Sequence, residues 1–222
     1  MYENEKELLK CLCQQNNSAR QSALENELRL RGVRYENWDN MALVVPSCKE
    51  NVIVLCAHFD AVPNSYGYND NGMALVTVLK MLGKLSEHVE VVFTNCEEQG
   101  ALGAEYYLEH GQKQIIGCVN LDVVGCFDQV YLDPMNCAAV RQLRDCKQGS
   151  MPPSDACAFF REGIQSVCFS SGPSDTDFRM GIMQICSTLH NNQNDNDFGM
   201  LNFEMTDKVA AEVRKAVDLI AA

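Results

Sequence analysis

Asn51-Val52-Ile53-Val54-Leu55-Cys56-Ala57-His58-Phe59-Asp60 is an apolar run that ends on an imidazole and a carboxylate. A strand with no polar face is one buried on both faces, the habit of parallel sheets held between layers of helix. Two further runs repeat the pattern, Val89 to Phe93 and Ile115 to Val124. Helical spacing fills the intervals, at about Gly72 to Leu85 and about Leu102 to Glu109. Strand and helix in alternation predict an α/β fold, a three-layer α/β/α sandwich around a mostly parallel, mixed sheet. Upstream, residues 1–32 read as helices packed on the core, interrupted at Asn16-Asn17-Ser18 and closed by Gly32. Short strands are expected at Val33 to Tyr35 and Met41 to Val45, around a turn at Trp38-Asp39-Asn40. Downstream, strands are expected at Ser166 to Phe169 and Met183 to Cys186. A last helix, about Thr206 to Ile220, carries Val209, Val213, Val217 and Ile220 on one face. No repeat or Pro/Gly/Ser linker divides the chain, so one domain over residues 1–222 is expected.

Composition narrows the function. Thirty acidic against 18 basic residues leave a net charge of −12, which argues against a phosphate backbone as partner. No apolar run approaches the ~20 residues of a membrane span. The acidic start Met1-Tyr2-Glu3-Asn4-Glu5 is not followed by a signal-peptide apolar stretch. Twelve cysteines include no C-x-x-C pair, so neither a zinc ribbon nor a thioredoxin-type site is indicated. Cys56, Cys118, Cys168 and Cys186 sit in apolar runs, where a free thiol behaves as a small hydrophobe. These features lead to the expectation of a cytoplasmic chain with reduced thiols, without nucleic acid or membrane as a partner.

In open α/β sheets, sites gather at the carboxyl ends of strands. Past Val52–Ala57 come His58, Phe59 and Asp60; past Val89–Phe93, Glu97 and Glu98; past Ile115–Leu121, Asp122. His190 follows Met183–Cys186, and Asp70 lies in the loop Tyr68-Asn69-Asp70-Asn71-Gly72 that opens a helix. A lone strand-end Asp is usually a cap or turn residue, and Glu97-Glu98 alone suits a helix start. Together these residues supply imidazole plus carboxylate for divalent metal, a carboxylate to bridge two ions, and one spare glutamate. His88, in a polar turn, and His110, at a helix end, are given no function. Tyr66 and Tyr68 either overhang the site or shape the turn; Phe159, Phe160, Phe169, Met151, Met180 and Met183 read as core.

The order of motifs resembles a family, the co-catalytic zinc aminopeptidases typified by bacterial leucyl aminopeptidases, which share a fold with glutaminyl cyclases. The matching stretches are Ala57–Asp60, Gly67–Gly72, Glu97–Gly103, Asn120–Asp122, Ser154-Asp155 with Phe159 and Gly163-Ile164, and Leu189-His190. The resemblance implies that His58 and Asp122 hold one zinc, Glu98 and His190 a second, and that Asp70 bridges them. It also implies Glu97 as general base, Asp60 as the residue orienting His58, and a cis peptide between Asp70 and Asn71. His58-Phe59-Asp60-Ala61-Val62-Pro63 is similar as well to related deacylases and carboxypeptidases. Those carry an inserted domain, for which residues 123–189 leave no room beside the core's own elements. Ala156, Gln165 and Asn191 depart from the family pattern around the substrate. The expected activity is metal-dependent removal of N-terminal residues from short peptides. The alternatives are a single-zinc glutaminyl-cyclase-like transferase and a non-catalytic binding module on the same fold.

Overall fold

The computed structural model describes residues 4–189 and 194–222. Two helices come first, α1 (Glu5–Leu12) and α2 (Asn17–Leu30), with Asn4 and Asn16 side chains capping their first amides. Asn16 is thus a start signal as well as an interruption. There follow β1 (Glu36–Trp38), β2 (Ala42–Val45), β3 (Asn51–His58), α3 (Met73–Met81), β4 (Val89–Thr94), α4 (Leu102–His110) and β5 (Gln114–Leu121). The second half contributes β6 (Gln129–Asp133), β7 (Lys147–Gln148), α5 (Ala156–Arg161), β8 (Ser166–Gly172), α6 (Phe178–Leu189) and α7 (Glu204–Ala221).

The sheet runs β1-β2-β4-β3-β5-β8-β6-β7. Its four central strands, β4, β3, β5 and β8, are mutually parallel, whereas β2 and β6 join them antiparallel. Four strands therefore deliver their carboxyl ends to one edge. The alternation of side chains along β3 builds the layers. Ile53, Leu55 and Ala57 pack into a core shared with α1, α2, α3 and α7. Val52, Val54 and Cys56 pack on the opposite face with Ala104 and Tyr107 of α4 and Phe159 of α5. An apolar strand with no polar face is what this double coverage requires.

Several expected elements are corrected. Met183 to Cys186 is not a strand but the middle of α6. Ile185 is buried while Met183 is 56% exposed, a helical period that a four-residue stretch cannot reveal. The sheet position is taken instead by β6, with Val130 and Leu132 on one core face and Tyr131 on the other. Strand β1 begins at Glu36 rather than Val33, because Asp39 and Asn40 both adopt positive φ and set Trp38 opposite Ala42. Helix α3 stops at Met81, short of Leu85, where Leu82 turns extended and Gly83 goes to φ 78°. At its other end, Asp70 and Asn71 lie in a non-helical turn, Tyr68–Gly72, and their peptide bond is cis.

Candidate metal centre

His58 is the last residue of β3 and Asp122 the first beyond β5, so their side chains emerge together at the sheet edge. Asp70 reaches the same point from the turn before α3. His58 Nε2 lies 3.1 Å from Asp70 Oδ1 and 3.5 Å from Asp122 Oδ1. One donor atom from each of the three residues falls within 4.8 Å of the others. The opposite ring nitrogen, Nδ1, faces Asp60, 3.4 Å from its Oδ1 and 3.2 Å from its backbone carbonyl.

Asp60 is fully buried and accepts the backbone N–H of Glu97 at 3.1 Å and of Glu98 at 3.3 Å. One carboxylate therefore orients the imidazole and pins the loop carrying both glutamates. Burial alone would raise its pKa, but His58 and the two amides overcome that and hold it below the ordinary value. Replacing Asp60 with alanine is expected to weaken zinc binding by about 10–100-fold. Competition with a chromophoric chelator reads this directly, and unchanged affinity would remove Asp60 from the account.

Two buried atoms, His58 Nε2 and Asp122 Oδ1, have no hydrogen-bond partner. Leaving such atoms unpaired is costly, and a divalent cation between them would satisfy both. The donor set, one imidazole with carboxylates, suits zinc. The electrostatics agree. Burial, with Asp122, Asp155 and Asp70 adding to it against His58, pushes Glu97 up to about 9. Burial, then Asp70, pushes Glu98 up to about 8. Burial disfavours the His58 imidazolium, yet Asp122, Asp60 and Asp70 outweigh it and raise its pKa well above the usual. Carboxylates crowded so that they hold protons are groups that a cation would return to the charged form.

The turn bearing Asp70 is stitched to the strand end bearing Asp122. Asn71 donates Nδ2 to the Leu121 carbonyl (2.8 Å) and accepts the Val123 N–H (3.2 Å), one residue either side of Asp122. Asn69 accepts the Gly125 N–H at 2.6 Å. Gly67 permits the approach: it sits at φ 54°, and an added Cβ would stand 2.4 Å from the Asp70 carbonyl oxygen.

Glu97, Glu98, Asp70 and Asp122 line one end of a cleft of ≈ 90 Å³. Val123, Met151, Pro152, Pro153, Ile182 and Ile185 form its apolar wall. His190 and Asn191 lie outside the described residues. Met151, expected in the core, is instead cleft wall, whereas Phe159 and Phe169 are core as expected. Phe160, Met180 and Met183 are exposed rather than core. Tyr66 and Tyr68 stack on one another and Tyr68 meets Phe198 edge-on, away from that wall. His88 and His110 are remote: the first faces the Asn51 carbonyl and the second stacks on Tyr106. Ala156 opens α5 as a buried residue, and Gln165 accepts from Cys137 through its side chain.

Asp155 was named in the sequence without a role. It is buried behind the centre, accepts from Thr94 Oγ1 and Cys56 Sγ, and burial pushes it up to about 6. Asn71, which enters the resemblance only through its peptide bond, also matters here: its side chain joins segments about fifty residues apart, and no spacing rule announces that bond.

Residues 40–196 match the model of Peptidase family M28. Among solved structures, the chain is similar to BSAP, a zinc aminopeptidase from Bacillus subtilis. That likeness has a TM-score of 0.62 at 21% identity, over 79% of this chain and 50% of that one. It is similar also to Porphyromonas gingivalis glutaminyl cyclase, with a TM-score of 0.71 at 15% identity. There the overlap is 97% of this chain and 98% of the other. At these identities the likeness is one of fold. Among curated proteins, the Vacuolar membrane protease of Candida glabrata is 35% identical over 109 residues, 46% of this chain and 12% of that protein. Its namesake in Saccharomyces cerevisiae is 37% identical over 83 residues, 35% of this chain and 8% of that protein. The chain thus spans a small fraction of the length of the curated relatives it matches. These names overturn the expectation of a cytoplasmic chain and take the footing from the exclusion of a membrane. Among the described residues no helix is long and apolar enough to cross a membrane, and neither that fact nor free thiols locates a protein.

Proposed function

The chain belongs to peptidase family M28, and on that premise we propose that it is a metal-dependent aminopeptidase. It would hydrolyse the N-terminal peptide bond of short peptides through a two-zinc site, with Glu97 as general base. The observation that carries this reading is the convergence of His58, Asp70 and Asp122, with unpartnered buried atoms on His58 and Asp122. His58 and Asp122 would hold one ion, Glu98 and His190 the other, and Asp70 both. Bound zinc would supply an acidified water and a polarised scissile carbonyl. Glu97 takes the proton of the attacking water and returns it to the leaving amine, ordinary general acid–base work. Asp60 keeps the His58 ring oriented and the Glu97-Glu98 loop in register. The carboxylates at the cleft's end attract the free α-amine of the substrate, and the apolar wall seats its first side chain.

A second reading, a glutaminyl-cyclase-like transferase using one zinc, is favoured by the nearly complete overlap in length with such enzymes. One assay separates the two. Zinc-loaded protein is given a leucyl peptide, its acetylated form and a glutaminyl peptide, and products are identified by mass. Release of the first residue from the free leucyl peptide alone is expected. Equal cleavage of the acetylated peptide would make the protein a general amidase. Loss of ammonia from the glutaminyl peptide, with no cleavage of the others, would make it a cyclase.

A further inference from the structure

Asp195 is absent from the expected ligand set, yet its carboxylate is buried, 5% exposed, against the turn that presents Asp70. Its Oδ1 accepts the Asn69 N–H at 2.7 Å and its Oδ2 the Asp70 N–H at 3.2 Å. The next residue continues the contact. Asn196 accepts the Tyr66 N–H at 2.6 Å and donates Nδ2 to the Asn64 carbonyl at 3.4 Å. From the other side, Arg20 of α2, 1% exposed, donates Nε to the Phe59 carbonyl and Nη1 to the Tyr66 carbonyl. The segment from Phe59 to Asp70 is therefore gripped by its carbonyls from α2 and by its amides from Asp195 and Asn196.

We propose that Asp195 is a positioning residue that fixes the bridging carboxylate of Asp70 by accepting the amide of Asp70 and the one before it. The proposal rests on the reading of Asp70 as a metal ligand. Two successive N–H groups, that of Asn69 buried and that of Asp70 part-buried, call for two acceptors. A carboxylate offers one acceptor oxygen to each of the two amides. An asparagine would offer one acceptor and turn an NH2 group toward the second amide. Both Asp195 oxygens are engaged by the backbone, so Asp195 acts on the site through Asp70. Asn71, next in the chain, ties the same turn to both sides of Asp122. Release of the Asp195 end would leave Asp70 free to rotate relative to Asp122 and His58.

The test uses the full chain and cobalt(II), whose visible absorption reports ligand geometry, in wild type, Asp195→Asn and Asp195→Glu. Affinity comes from chelator competition and folding from circular dichroism. The expectation for Asp195→Asn is folded protein, cobalt binding weakened by about 10–100-fold and a changed absorption band. Asp195→Glu, which keeps two acceptor oxygens, is expected to recover part of the affinity. A role limited to filling space predicts the reverse order, since asparagine is the isosteric replacement. Asp195→Asn binding cobalt as wild type does, or better than Asp195→Glu, overturns the proposal alone. If Asp195→Asn fails to fold, Asp195→Glu is read against wild type: a retained, weaker site supports the proposal and complete loss overturns it. A wild type that binds no cobalt overturns the ligand reading of Asp70, and this proposal with it.

Discussion

Replacing Glu97 with alanine is expected to reduce kcat on a free-amine peptide by about 10²–10⁴-fold, the usual worth of a positioned acid–base group, while zinc content stays at the wild-type level. Glu97 and Glu98 are adjacent, but the short helical turn they open, Glu97–Gln99, directs neighbouring side chains differently. Both line the cleft, and Asp60 holds both backbones. Burial raises Glu97 to about 9, so without a cation beside it the group holds its proton at neutral pH and is no base. A cation nearby lowers that value and returns it to the carboxylate that abstracts a proton. Glutamine at 97 keeps size and polarity without basicity and should be as slow as alanine. Zinc lost from either variant would make Glu97 a ligand. Full activity in either would leave the base unassigned.

His58→Ala should lose most of one zinc ion, and with it at least ~10³-fold in kcat/KM, because metal stabilisation of transition-state charge is worth several kcal/mol. The imidazole is the nitrogen donor that β3 presents to Asp70 and Asp122, and Asp60 has already oriented it. Without it the ion that it shares with Asp122 loses its only nitrogen donor in the proposed set, and the remaining carboxylates hold that ion less tightly. Equilibrium dialysis against zinc, with elemental analysis, measures the loss. A His58→Ala protein that keeps its full complement would refute the ligand assignment.

How much of this was legible in the sequence depends on the range of the interaction. The apolar run Val52–Ala57 announced a strand covered on both sides, and the two core clusters on β3 bear that out. Residues at or just past the ends of parallel strands, His58 and Asp122, were legible as site candidates because strand direction alone carries them to one edge. Where a local pattern was short, reading failed: Met183–Cys186 reads equally as strand or helix, and burial in α6 decided it. Strand β6 was overlooked because its alternation, Val130, Tyr131, Leu132, is flanked by polar residues and spans few positions. The supports of the site were illegible for a different reason. Asp195 meets Asn69 across 126 positions and Arg20 meets Phe59 across 39, and bonds of that range leave no period or spacing in one sequence.

The central claim, a two-zinc peptidase centre built on Asp70, is tested most directly by counting zinc. Purified protein dialysed against excess zinc and then against metal-free buffer should retain close to two ions per chain by elemental analysis. Retention of one ion would contradict the two-metal account in favour of the cyclase reading, and retention of none would contradict the metal centre itself.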